Sequence, residues 1–285
     1  KENEAIWFVG NNVIKYSDDK LFIKNRVKRA LSLSEYVPEI INFRENMYTY
    51  KKINASVLSD IVSIPIFKKL LTHSQTFWKN AELEEGEKLK FNEDCMRFYR
   101  DKTMNRINLF YKNFDKIDNN YIINDEPTSL LGDILNEVDW GWLSSGIPVR
   151  FHGDYHFENI LFDQESGFTF LDWRQDFCGY LYFGDIYYDF AKLMHGLIIN
   201  HEIIATNNFN VMWEKEVIKF DFHRKNLLVE CEEIFTIWLK SNGYEVKKVN
   251  LLTALIFLNI APLHHWPYSL LLYSLGKQRL LKALS

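Results

Sequence analysis

Two short apolar runs open the chain, Ala5-Ile-Trp-Phe-Val9 and Val13-Ile-Lys-Tyr-Ser17, with Gly10-Asn11-Asn12 between them. Such runs around a glycine–asparagine turn predict a β-hairpin. From Lys20 to Leu33 the spacing becomes helical, with Leu21, Val27, Ala30 and Leu31 apolar. Lys20, Lys24, Arg26, Lys28 and Arg29 fall on the other faces and read as a solvated basic surface. Pro38 stops this segment, and Asn46 to Ile53 reads as another strand. Residues 1–57 therefore read as a small α+β unit.

Beyond Leu58 the pattern is mostly helical. Ile66 to Trp78 and Asp94 to Phe114 are aromatic-rich amphipathic stretches, whereas Ala81 to Lys90 is charged and reads as a solvated loop or helix end. Ser129 to Val138 predicts a short helix. Leu227 to Leu239 follows the i, i+4, i+7 rule and ends at Asn242-Gly243. Leu251 to Ala261 and Tyr268 to Leu284 read as buried helices. One hairpin is expected to interrupt this region: Asn159 to Asp163 and Phe168 to Asp172, turning at Gln164-Glu-Ser-Gly167. Asp185 then caps a helix over Ile186 to Leu197.

Composition narrows the class. The 285 residues include 12 Gly and 6 Pro, too few for collagen-like, linker-like or disordered chains. Gly10 is the only glycine before Gly86, so no glycine-rich loop is present there to cradle phosphates. A net charge of −4 gives no electrostatic case for nucleic acid or an anionic membrane. Cys95, Cys178 and Cys231 lack zinc-ligand spacing and read as reduced, inert thiols in a cytoplasmic protein. The longest apolar run, Leu251 to Leu263, contains Thr253, Asn259 and Pro262 and is too short for a membrane span. No signal peptide is read at the start. Lys1 is not a start methionine, so a trimmed chain or part of a longer polypeptide is expected.

The chemistry concentrates in Phe151-His-Gly-Asp-Tyr-His-Phe-Glu-Asn-Ile-Leu161 and Phe170-Leu-Asp-Trp-Arg174. Asp154 and Asn159 stand five apart on a loop entering a strand, and the paired strand returns Asp172 to the same end. Few hard oxygen ligands suit Mg²⁺, which keeps waters and completes its shell from phosphate oxygens. The remaining aspartate can then orient an attacking hydroxyl. His152 and His156 have helical zinc spacing, but Gly153 lies between them and no third ligand is evident.

With Gly184-Asp-Ile-Tyr-Tyr-Asp-Phe-Ala191 downstream, these segments resemble the aminoglycoside phosphotransferase and choline kinase superfamily. The resemblance is strong over about Val149 to Leu193. It implies a two-lobed, protein-kinase-like α+β fold, with an N-lobe over 1–57 and a mainly helical C-lobe over 58–285. It implies an ATP- and Mg²⁺-dependent phosphotransferase acting on a hydroxyl of a sugar, amino sugar or amino alcohol. A further likeness is to bacterial phosphotransferases linked with surface-polysaccharide synthesis. Residue by residue, it implies Asp154 as catalytic base or hydroxyl-orienting carboxylate, Asn159 and Asp172 as metal ligands, and Lys15 as the partner of ATP phosphates. Lys52 and Ile53 would meet adenine, and His152 and Asp189 would be structural. Arg174 and Asp176, with the aromatics Trp173 and Trp266, are candidate substrate contacts; Tyr155, Trp173, Tyr180, Tyr182 and Trp266 could form a cation cage, stack on a sugar ring or simply fill the core. The partner is a small molecule, with no nucleic acid and no membrane span; the oligomeric state is left open.

Two departures qualify the resemblance. Family members pair the lysine with a helix glutamate, and the helix over Phe22 to Leu33 has none; Asn25 and Arg26 lie at the expected place. The nucleotide-covering loop would also precede the first strands. A nucleotide-binding pseudokinase, or a kinase-like module of a larger polypeptide, is the competing reading. Protein kinase activity is disfavoured by the short interval between Asp172 and Gly184 and the lack of an Ala-Pro-Glu segment.

Overall fold

The computed structural model describes residues 3–285. Lys1 and Glu2, where the 1–57 reading begins, lie outside the described residues. Two compact units form, Lys1–Glu82 with Ile147–Asp189, and Leu83–Gly146 with Phe190–Ser285. The division into lobes at residue 57 and these compact units are drawn differently.

In the first unit, β1 (Glu4–Val9) and β2 (Asn12–Ser17) form the expected hairpin, with Ile6 opposite Lys15. Gly10 takes φ +58° at the turn, where a side chain would be strained. Helix α1 (Lys20–Leu33) begins at Asp19, whose carboxylate accepts the Phe22 N–H at 3.0 Å. It is followed by β3 (Ile40–Arg44) and β4 (Met47–Lys51), giving an antiparallel sheet in the order β1-β2-β4-β3. Strand β3 is not legible in the sequence because Ile41, Asn42, Phe43 and Arg44 are all exposed on an edge and show no alternation.

The basic helix face departs from expectation. Leu21 and Leu31 are exposed, whereas Arg29 is only 1 % exposed among Ile23, Val27, Ala30 and Leu33. At Arg29 that buried face meets the backbone carbonyls of Phe151, Arg174 and Leu181, so this position takes a guanidinium.

The rest of this unit supports a second hairpin. Strands Ile160–Asp163 and Gly167–Phe170 pair antiparallel, and β5 (Ser56–Val57) pairs with the first of them. Beneath it, α3 (Ile64–Phe77), which follows the short α2 (Leu58–Ile61), contributes Phe77 and His73 to an aromatic cluster with Tyr36 and Phe170. Such packing gives the strands a rigid base.

In the second unit, the charged interval read as a solvated loop or helix end contains the start of a helix, Glu85–Met96. Glu84 and Glu87 form a reciprocal capping box, and acids in the first turn suit the helix N-terminus. A π-helical turn, Arg97–Asp101, leads into Lys102–Phe114. Helices Val246–Ile260 and Tyr268–Leu284 are largely buried. The stretch Val246–Leu263 is apolar and long enough to cross a membrane, but 67 % of it is buried within the protein.

This unit also corrects the expectation of a single hairpin. Phe209–Glu214 and Val217–Phe222 pair antiparallel, and Ile122–Ile123 joins them in parallel. Tyr121, Ile123 and Ile218 form a small core there with Val211, Trp213 and Phe220. The hairpin was hidden because its turn uses Lys215 at φ +46° in place of glycine.

Candidate active site

The catalytic-type loop is held from inside the first unit. Asp189, on the helix Ile186–Ile198, is fully buried, and its two oxygens accept the His152 N–H at 2.7 Å and the Gly153 N–H at 2.6 Å. Trp78 Nε1 donates to the same carboxylate at 3.0 Å. Burial pushes the Asp189 carboxyl up to about 6, against the hydrogen bonds that favour its charged form.

His152 is buried and neutral. Its Nδ1 faces the Asp154 N–H at 3.2 Å, and its Nε2 lies 2.8 Å from the Leu171 carbonyl. The first contact needs an acceptor and the second a donor, which fixes the Nε2–H tautomer. Burial pulls its pKa down to about 3. His156 does not join it as a metal ligand; its Nδ1 lies 2.8 Å from Glu158 and its Nε2 3.5 Å from Asp154.

Gly153 takes φ +87°, and a Cβ there would stand 2.5 Å from the Arg174 Cβ. Glycine is therefore required both by the backbone and by the space. The tight approach lets Arg174 N–H donate to the His152 carbonyl at 2.9 Å, joining the loop to the segment after Asp172.

Arg29 makes a second clamp. Its guanidinium donates to the carbonyls of Phe151, Arg174 and Leu181, with His152 O at 3.5 Å, and lies 3.9 Å over the Phe151 ring. Burial lowers its pKa to about 9. Sequence reasoning missed this residue, since nothing local distinguishes Arg29 from the solvated Lys28 beside it.

One cavity of about 210 Å³ gathers Lys15, Arg26, Asp154, Asn159 and Asp172, with Glu4 and Tyr48 also on its wall. Asn159 Nδ2 donates to Asp154 Oδ2 at 3.1 Å and to the Asp154 carbonyl at 3.0 Å. This leaves Oδ1 as the atom Asn159 can offer a cation. Asp172 lies just past its strand at φ +55°, a strained position for a non-glycine residue. Its Oδ1 pairs with Lys15 Nζ and accepts from Arg26 Nη1 at 3.1 Å. Burial, then the nearby Arg26, lowers the Lys15 pKa to about 7. The oxygen donors of Asn159 and Asp172 fit a hard divalent ion.

The other candidates are not on that cavity wall. Lys52 follows β4 and its N–H donates to the Asn11 carbonyl at 2.8 Å; Ile53 is half-buried beside it. Arg174 Nε donates to the Asp176 carbonyl, and Asp176 Oδ1 accepts from Gly179. Trp173 is 1 % exposed, with Nε1 donating to the Arg26 carbonyl, so it is a core residue rather than a ligand face. Tyr155 is likewise buried, its hydroxyl paired with Ser74. The aromatic cage therefore loses two members to the core. Trp266 belongs to the second unit, exposed beside Phe114 with Lys116 over its ring.

Comparison with known proteins adds the class. Residues 106–215 match the model of the phosphotransferase enzyme family. The matched segment contains the His152-Gly153-Asp154 loop. That match covers 110 of the 285 residues, and in it the chain is similar to the phosphotransferase enzyme family. No curated protein sequence matches. Among solved structures, a Plasmodium vivax ethanolamine kinase is 13 % identical, with a TM-score of 0.49, over 98 % of this chain and 80 % of that one. A streptomycin–ATP–APH(2")-IIa ternary complex is 14 % identical, with a TM-score of 0.47, over 99 % and 88 %. A Cryptosporidium parvum choline kinase is 13 % identical, with a TM-score of 0.47, over 99 % and 85 %.

Proposed function

We propose that the protein is an ATP- and Mg²⁺-dependent kinase that phosphorylates a hydroxyl of a sugar, amino sugar or amino alcohol, in a cytoplasmic setting. The observation that supports this reading is the assembly of Asp154, Asn159, Asp172 and Lys15 around one cavity. Asp154 orients the acceptor hydroxyl and takes its proton. The Asn159 amide bond to the Asp154 carboxylate keeps that oxygen in place. Asn159 and Asp172 would hold Mg²⁺, which supplies charge compensation at the transferring phosphate. Lys15 offsets charge on the nucleotide phosphates, and backbone groups at Lys52 and Ile53 meet the adenine. Arg174 and Asp176, on the turn after Asp172, read charge on the acceptor. Catalysis in such a site is mostly alignment and electrostatics.

The test is ADP release with Mg²⁺ and ATP across choline, ethanolamine, sugars, amino sugars and aminoglycosides. One acceptor class should support turnover, and Asp154→Asn should reduce it by about 10²–10⁴-fold. Unchanged transfer by that variant would remove Asp154 from its role. Silence across the whole panel, with nucleotide still bound, would favour the pseudokinase reading.

A further inference from the structure

Arg26 stands on α1 where the resemblance leads one to expect a glutamate that pairs with Lys15. The helix contains five basic residues and no acid, so it offers Lys15 no partner. Both cations instead converge on one oxygen, Asp172 Oδ1. Two cations on one carboxylate oxygen repel each other.

The Arg26 side chain is fixed in place. Its guanidinium lies 4.5 Å over the Phe22 ring, its Nη1 is 3.5 Å from the Tyr48 hydroxyl, and its own carbonyl accepts from Trp173. Its Nε is buried and has no hydrogen-bond partner. A buried donor left without an acceptor is costly, and the Arg26 side chain lines the cavity. Glu4, Asp154 and Asp172 also line that cavity, so an anion enters only with cationic help. A guanidinium presents paired donors that match the spacing of phosphate oxygens.

We propose that Arg26 is a phosphate-binding residue of the nucleotide site, a second cation beside Lys15 in the position of the expected acid. The proposal rests on the kinase reading above. Without nucleotide, Arg26 and Lys15 share Asp172. Were Asp172 to hold a divalent ion, its carboxylate would be less available to both cations, and the nucleotide's phosphate oxygens would be the acceptors that satisfy them. Restoring a glutamate at this position should therefore impair the site instead of repairing it.

The test compares ADP and adenosine binding to the full chain by calorimetry with Mg²⁺ at fixed ionic strength. Wild type, Arg26→Ala, Arg26→Lys and Arg26→Glu are measured, with thermal melting as a check on folding. Arg26→Ala should weaken ADP at least tenfold and leave adenosine within twofold. Arg26→Lys should lose less, and Arg26→Glu more than alanine. Arg26→Ala binding ADP within twofold of wild type overturns the proposal. So does an equal loss for adenosine, which would make Arg26 a structural support. Should Arg26→Ala fail to fold, Arg26→Lys decides: a loss confined to ADP supports the role, and equal losses or none overturn it. A wild type that binds no ATP or ADP overturns the kinase reading itself, and this inference with it.

Discussion

Asp189 accepts the N–H of Gly153 at 2.6 Å, so a buried carboxylate fixes the one residue of the loop that cannot carry a side chain. The same carboxylate holds His152, and Asp154 follows directly. The backbone leading to Asp154 is thus held by a residue outside the cavity lining, while Asn159 on the cavity wall holds its carboxylate.

Replacing Gly153 should show how tight that loop is. Gly153→Ala meets both a positive φ and a Cβ–Cβ approach of 2.5 Å, whereas Gly179→Ala meets a φ of +89° with open space around it. The second should cost about 1 kcal/mol, the strain of a left-handed alanine. The first should cost roughly 3 kcal/mol or more and abolish turnover, since strain and overpacking add. Urea unfolding of both variants measures the difference; equal costs would mean that the loop yields easily.

Arg29 should prove structural rather than solvated. Arg29→Ala removes the donors of Phe151, Arg174 and Leu181 carbonyls and should destabilise the fold by at least about 2 kcal/mol, given ~1–3 kcal/mol for each buried group left unsatisfied. Lys28→Ala, one residue away and exposed, should fall within about 0.5 kcal/mol of wild type. Arg29→Lys keeps the charge but loses the planar fork, and should lie between them.

The pH dependence of stability follows from His152. Its folded pKa is near 3, below its ordinary 6.5, so the unfolded chain binds its proton first as pH falls. Its contribution is therefore complete above about pH 6.5 and is lost toward pH 3, at up to about 1.4 kcal/mol per pH unit. Asp189 acts oppositely between 3.8 and about 6, because the folded state keeps its proton longer. Thermal melts of wild type and His152→Asn from pH 7.5 to 5 separate the two. The acid-side slope should be shallower by about one proton in the variant, and identical slopes would exclude a neutral buried His152.

Asp172→Asn should raise the Mg²⁺ concentration needed for half-maximal turnover by at least about tenfold, through loss of a charged ligand. Adenosine binding, which needs no metal, should be unaffected. Calorimetry and initial rates with varied Mg²⁺ report the two effects; an unchanged Mg²⁺ requirement would remove Asp172 from the metal site.

Much of the backbone was legible because local signals agreed. Gly10-Asn11 marked the first hairpin, and Asn242-Gly243 the end of the helix Asn226–Ser241. The loop over 151–161 stood out as the candidate site by residue type and spacing. Signals failed where an element lacked its usual punctuation. Lys215 replaced a turn glycine, and Glu84 with Glu87 capped a helix inside a charged run.

By itself the sequence determined the order of the elements with local signals and the set of chemical groups, since both depend on spacing of a few residues. Only the tertiary structure decided which basic residue of α1 is solvated, which is buried and which faces the cavity. Lys28, Arg29 and Arg26 are near-identical in one dimension. What separates them is the position of the Phe151, Arg174 and Leu181 carbonyls and of Asp172, all more than a hundred residues away. A cation's role is set by the acceptors around it, and those are brought together only by the fold.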